Sequence, residues 1–269
     1  MRTTAFVAAL GLSALCWGQY VGNPAGKACP LSLKAHRGRP TFGFLGIEGG
    51  RIDTDIEGSY DVITGTSPGF LKETSNFEES YFALYGGGHF KGFELEAKIG
   101  GSFQEIREGA LSADPFEDGG GILIGAGARW GFAPVEGFRA GVGGQFSFVY
   151  AEGDALVSDG LALYREDIEL ELWRGELFTG VSLDLPAGPE LVLSPYAGVG
   201  VQFLDGELTI DEPGPWWYLE DEVADLDEDR TEFFFGGVDL HAGRNFRVGV
   251  EGRGNASGWA VTVSVGWRF

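Results

Sequence analysis

The chain has 269 residues, 46 of them glycine and 13% of them aromatic, with 40 acidic residues against 19 Lys and Arg and a net charge of −21. The acidic balance excludes a nucleic-acid-binding surface as the main activity, and a 43% hydrophobic content excludes a disordered acidic chain. Glycine this abundant without a collagen period, together with many aromatics, favours one large β-barrel over one or two soluble domains.

The chain begins MRTTAFVAALGLSALCWGQY: a basic Arg2, an apolar run from Ala5 to Trp17, then a polar restart. This reads as a secretory signal peptide over residues 1–18, too short to span a membrane as a helix, with cleavage expected near Gly18. Cys16 follows Leu15, where a lipoprotein signal carries a small residue, so lipidation is disfavoured. Without the signal Cys29 is the only cysteine, and no intrachain disulfide can form. Residues 19–39 are basic, with Lys27, Lys34, Arg37 and Arg39. They are expected to form a periplasmic N-terminal segment, either a tail or a partial lumen plug. Within them YVGNPAGKACPLSL (20–33) is similar to the mature N-terminus of chlamydial-type major outer membrane proteins. Those porins are larger and rich in cysteine, unlike this chain, and no site residue carries over from the likeness.

From residue 40 onward the dominant signal is period-two alternation, the mark of strands with two unlike faces. It predicts ten strands, over 40–56, 79–89, 92–106, 119–132, 136–151, 168–184, 189–205, 231–242, 245–254 and 258–269, with eight as the alternative count. Phe93, Leu95, Ala97, Ile99 and Phe103 oppose Glu94, Glu96, Lys98, Ser102 and Gln104. Phe138, Ala140, Val142, Phe146, Phe148 and Tyr150 oppose Arg139, Gly141, Gly143, Gln145 and Ser147. The first and sixth strands slip in parity near Gly49–Gly50 and Trp173–Gly175, which reads as two bulges. No helical period of comparable strength and no run apolar enough for a spanning helix is present.

The connections alternate. Short turns at 89–92, 133–137, 185–190 and 242–245 alternate with long connections at 57–78, 107–118, 152–167 and 206–230. The hairpin at 255–258 is a tight outer loop. This is the pattern of a transmembrane antiparallel up-and-down barrel occupying 40–269, with short periplasmic turns and long acidic outer loops. In lipid every backbone polar group must be paired, so such a sheet has to close on itself. The last strand, GWAVTVSVGWRF, puts Trp259, Val261, Val263, Val265, Trp267 and Phe269 on one face. It resembles the C-terminal signature of Gram-negative outer-membrane β-barrel proteins, carried here by Val261, Val263, Val265, Trp267 and Phe269. The resemblance implies export through a cleaved signal peptide, residence in the outer membrane among its lipid and lipopolysaccharide, and recognition by the barrel assembly machinery.

Candidate chemistry concentrates on the face opposite the apolar rows. Glu94, Glu96, Lys98, Arg129, Arg139, Arg174, Glu176, Asp239, His241, Arg247, Glu251, Arg253 and Arg268 interleave both signs. Buried charges need partners, so these form either an ion-pair network that fills the lumen or the lining of a narrow pore. The segment 205–232 is strongly acidic, and Asp225, Asp227 and Asp229 have the spacing that opens a calcium loop. Arg230 and Gly236 stand where that loop needs Gly and Glu, leaving a weak surface candidate for divalent cations beside Trp216, Trp217 and Tyr218. GTSPG (65–69) matches G-x-S-x-G but lacks a strand–turn–helix context and a neighbouring base for Ser67. No catalytic set and no cofactor site emerges. The expected function is a non-enzymatic barrel with a structural and surface-interaction role; a narrow porin or channel is the alternative, and a lipid-modifying enzyme a more distant one.

Overall fold

The computed structural model describes Asn23 and residues 41–64, 67–107, 116–158, 163–211, 222–243, 245–256 and 258–269. The described residues form one antiparallel sheet: β1 (Thr41–Thr64), β2 (Ser67–Phe90), β3 (Phe93–Arg107), β4 (Phe116–Val135), β5 (Phe138–Ser158), β6 (Leu163–Leu183), the two-residue β7 (Leu185–Pro186), β8 (Leu191–Asp211), β9 (Glu222–Ala242), β10 (Phe246–Gly254) and β11 (Gly258–Arg268). Each long strand pairs with its neighbour in sequence, and β11 pairs back onto β1 from Phe44↔Arg268 to Thr54↔Gly258. Ten strands therefore close a barrel, with β7 a short extension of the β6–β8 turn.

The tight turns follow from local residues. Lys91 and Gly92 both take positive φ, 48° and 88°, the two-residue primed turn that suits the right-handed twist of a hairpin. Gly137 and Gly243 supply positive φ at two further turns. These turns lie at one end, the periplasmic end in barrels of this type. At the other end the strands run further than alternation alone indicates. β1 and β2 pair to Thr64↔Ser67, β5 and β6 to Ser158↔Leu163, and β8 and β9 to Ile210↔Glu222. Much of what reads as long connection is thus paired strand.

The two expected bulges are not present. Pairing runs without a shift through Gly49–Gly50 and through Trp173–Gly175. What changes there is the surroundings of each face. On β6 the outward residues are Leu183, Val181, Leu177 and Trp173, then Glu171 and Glu169; the inward ones are Asp184, Ser182, Glu176 and Arg174, then Leu172 and Leu170. The strand leaves the apolar belt at Trp173, and from there polar groups face out and apolar ones face in. β1 makes the same change, from outward Leu45 and Ile47 to outward Arg51 and Asp53. Ladder irregularities lie elsewhere, at Gln104/Ile106, Glu117/Gly120, Phe132/Val135 and Gln202/Leu204.

The outer surface carries an aliphatic band between two rings of aromatics. Leu84, Leu95, Ile99, Ile122, Val142, Leu177, Val199 and Val250 are exposed in the band. Phe90, Phe93, Trp130, Phe132, Phe246 and Trp267 ring the tight-turn end, and Phe82, Phe103, Trp173, Phe203, Phe234 and Trp259 ring the other. Paired girdles of this kind are what the two membrane interfaces select. Neighbouring positions show how sharply the faces differ: Leu95 is 54% exposed, and Glu94 beside it 1%.

Candidate functional site: the lumen

Strand parity alone sends Glu94, Glu96, Lys98, Arg129, Arg139, Arg174, Glu176, Asp239, Arg247 and Glu251 into the interior, where all ten are buried; Arg253 points the same way and is half-buried. Carboxylates meet the cations at short range. Lys98 Nζ lies 3.2 Å from Glu48, Arg139 2.8 Å from Asp184, Arg174 3.1 Å from Glu79, Arg247 2.7 Å from Asp239 and Arg253 2.6 Å from Glu176. The guanidinium of Arg129 divides its nitrogens, with Nε 3.4 Å from Glu94 and a terminal nitrogen 3.1 Å from Glu96.

Several contacts span the cavity rather than one ladder. Arg174–Glu79 joins β6 to β2, and Arg253–Glu176 joins β10 to β6. Arg253 also donates to Gln202 on β8 at 2.5 Å, and its guanidinium lies 3.6 Å from the Phe233 ring centroid. Tyr196 on β8 donates to Glu251 on β10 at 3.0 Å. Ser102 donates to Glu79, and Gln145 to Glu176. Near the tight-turn end Arg268 meets His241 Nδ1 at 2.6 Å, and His89 stacks on Phe42 with centroids 4.8 Å apart.

Aromatic rings occupy the space that inward glycines leave. Phe178, Tyr196, Phe233 and Phe235 form one buried cluster. Tyr85 lies over Gly46, where a Cβ would come within 2.4 Å of its ring, and donates to the Val265 carbonyl at 3.3 Å. Beyond the charges, towards the outer end, the interior becomes apolar with Leu123, Val149, Leu170, Leu172 and Leu204, all buried.

Glu48, Glu79 and Asp184 complete three of the pairs and are absent from the sequence-derived set. Glu48 shares inward parity with Phe44, and that signal was available. Glu79 and Asp184 sit at the edges of the expected strands. On the closing strand Trp267 is exposed and Phe269 packs its ring over Gly43, with Gly43 and Phe269 exchanging backbone hydrogen bonds of 3.0–3.1 Å. Val261, Val263 and Val265 alternate outward with them, in register with Arg51, Gly49 and Ile47 of β1.

Asp225, Asp227 and Asp229 lie on β9, a paired strand and not a loop; Asp225 and Asp227 stand opposite Ser59 and Glu57 of β1. Among the described residues no three carboxylate, imidazole or thiolate groups converge as a metal site. Ser67 opens β2, so a strand and not a helix follows it. Residues 1–18, Cys29 and Trp216–Tyr218 lie outside the described residues.

No protein-family model matches the chain, and no curated protein does. The likeness of residues 20–33 to chlamydial-type major outer membrane proteins therefore gains no support. Solved structures do match in fold. The outer membrane protease OmpT of Escherichia coli aligns at 8% identity and a TM-score of 0.49, over 86% of this chain and 97% of that one. The β domain of the Bordetella autotransporter BrkA aligns at 11% and 0.45, over 86% and 99%. OprG of Pseudomonas aeruginosa aligns at 11% and 0.43, over 86% and 96%. This chain's own closure, girdles and polar interior make it an outer-membrane-type β-barrel.

Proposed function

We propose that the protein resides in the outer membrane as a non-enzymatic barrel, closed by its own side chains, with a structural and surface-facing role. One observation carries this reading: Lys98, Arg129, Arg139, Arg174, Arg247 and Arg253 each lie within 3.4 Å of a carboxylate, and two of those pairs tie distant walls together. A conducting lumen keeps charges facing mobile water. Charges that instead satisfy one another across the cavity act as cross-braces. The outward carboxylates of the extension, including Glu169, Glu171, Asp205 and Glu207, suit a surface that meets lipopolysaccharide phosphates through divalent cations. The outward row of the last strand suits recognition by the barrel assembly machinery.

The test is single-channel recording with the refolded mature chain in a planar bilayer. Protein shown to be folded should give a silent bilayer. Discrete, reproducible steps would replace this reading with a narrow channel. That second reading draws on a small cleft at the tip of the β10–β11 hairpin, lined by Ile52, Gln202, Arg253, Asn255 and Ala260. Hydrolysis or acyl transfer on lipopolysaccharide by the purified barrel would overturn the non-enzymatic part.

A further inference from the structure

Lys98, Arg129, Arg139, Arg174, Arg247 and Arg253 each meet a carboxylate in the lumen. Arg268 breaks the rule: it is only 6% exposed, and its guanidinium meets no carboxylate among the described residues. One terminal nitrogen reaches His241 Nδ1 at 2.6 Å, and Nη1 is buried without a hydrogen-bond partner. Because Nδ1 accepts, the His241 ring is neutral with its proton on Nε2, and it supplies no counter-charge. The main-chain oxygen of Phe269 beside it is taken by the Gly43 amide at 3.1 Å. A second donor stands close by. His89 Nε2 accepts from the Gly92 amide at 3.2 Å, which puts the ring proton on Nδ1, and Nδ1 too is buried without a hydrogen-bond partner. Glu94 lies 3.9 Å from it, beyond hydrogen-bonding distance, and is paired with Arg129. Both donors belong to side chains set against one ring: His89 stacks on Phe42 with centroids 4.8 Å apart, and the Arg268 guanidinium is 6.0 Å from the Phe42 centroid. Strand position brings them together. His89, His241 and Arg268 are the last inward residues of β2, β9 and β11, and Phe42 is the first of β1, so the four form the final inward row at the tight-turn end.

We propose that Arg268 Nη1 and His89 Nδ1 form a binding site for an oxyanion, a phosphate or carboxylate group, at the tight-turn mouth of the lumen. A buried guanidinium needs a counter-charge, and here the wall provides none. A cation is repelled, and an uncharged solute leaves the guanidinium uncompensated. An oxyanion presents separate oxygens to the two donors, one bond being charge-assisted; a halide has one atom to share between them. The site goes beyond the closed-lumen reading and does not depend on it, because it uses the last row of the wall and none of the braces that cross the cavity.

The experiment uses the full mature chain, isotope-labelled in its histidines, refolded in detergent and shown to be folded by heat-modifiable migration. The chain has three histidines, so the ring resonances of His89 and His241 can be assigned by substitution. Sodium phosphate and, separately, sodium acetate are titrated in at an ionic strength held constant with sodium chloride. The His89 and His241 resonances should move along a saturating curve. In Arg268→Gln the affinity should fall at least about tenfold, the loss of one charge-assisted contact; Arg268→Lys should keep part of it. Where Arg268→Gln prevents folding, His89→Phe, which keeps the stack on Phe42 and removes the donor, should weaken binding several-fold, read at His241. Saturation by phosphate alone assigns the site to a phosphate group, and saturation by acetate assigns it to carboxylate-bearing solutes. No saturable shift with either salt in folded protein, or an unchanged affinity in Arg268→Gln, would overturn the proposal. The two readings fail separately: a conducting barrel that binds the anion loses only the closed lumen, and a silent barrel that does not bind it loses only this site.

Discussion

The same strands build two barrels of opposite polarity. Between the aromatic girdles the wall is apolar outside and charged inside, with Leu177 and Val181 facing out and Glu176 and Arg174 facing in on β6. One turn of the pleat further, Glu171 and Glu169 face out while Leu172 and Leu170 are buried inside. The backbone does not register the change, because β6 keeps its pairing with β5 and β8 throughout. Only the solvent outside differs. In the band, lipid makes apolar groups cheap on the exterior and leaves the interior as the place for charge, which must then pair. In the extension, water takes the exterior and the interior becomes an ordinary hydrophobic core.

Substitutions that cost much in one region and little in the other put this contrast to the test, with unfolding in detergent as the common measurement. Arg129→Ala should have the largest effect, about 3–5 kcal/mol, because it strands Glu94 and Glu96 in the charged interior. Leu172→Ala, in the apolar interior of the extension, should cost about 2–5 kcal/mol as a cavity, the behaviour of a soluble core. A loss under 1 kcal/mol there would mean that the extension has no core of its own. Ile99→Arg, on the lipid face near the middle of the band, should cost about 2–4 kcal/mol.

Smaller effects sharpen the picture. Gly46→Ala should cost about 1–3 kcal/mol, since its Cβ would press on the Tyr85 ring and the Val265 carbonyl; Tyr85→Leu in the same chain should recover part of that loss. Glu171→Lys should be the smallest change and of opposite sign. Glu171 stands directly opposite Glu207 on the exterior of the extension, and relieving that like-charge pair should add about 0.2–1 kcal/mol. The gain should shrink as salt rises. A basic residue is thus tolerated or welcome at position 171 and expelled at position 99, although both side chains point outward.

The sequence discloses most of the wall and little of what joins it across the lumen. Alternation on β3, β5, β10 and β11 is clean because those strands stay largely between the girdles, with one solvent on each side. The parity slips near Gly49–Gly50 and Trp173–Gly175 mislead because a reversal of surroundings has the same signature in one strand as an inserted residue. Only the continuous ladders tell them apart. Strand ends beyond residue 57 or before residue 168 are illegible for a related reason: a hairpin standing in water needs no apolar outer face. Parity places Arg174 and Glu79 inside the barrel, but their meeting depends on the stagger of β2 against β6, which no local pattern encodes. Asn23 is one polar residue among small and apolar neighbours, with no periodic pattern to mark it, and its hydrogen bonds to Ser182 and Arg129 exist only once the lumen has formed.

The β10–β11 hairpin ends at Gly254 and Gly258, whereas β1 and β9 continue past it and meet directly from Glu57↔Asp227 to Ser59↔Asp225. The circumference of the barrel therefore changes with height, losing two strands above the hairpin tip. A sheet that narrows in this way has a preferred order of closure. The seam between β1 and β11 needs only the stretch from Phe44↔Arg268 to Thr54↔Gly258, less than half the length of the β1–β2 ladder. The last zippering step is then a short one, next to the two nine-pair ladders of β10, and by the same token early to breathe. Deuterium should enter the backbone amides of Ala260 and Gly252 well before those of Leu84 and Val199, making this corner the kinetic door of an otherwise rigid cylinder.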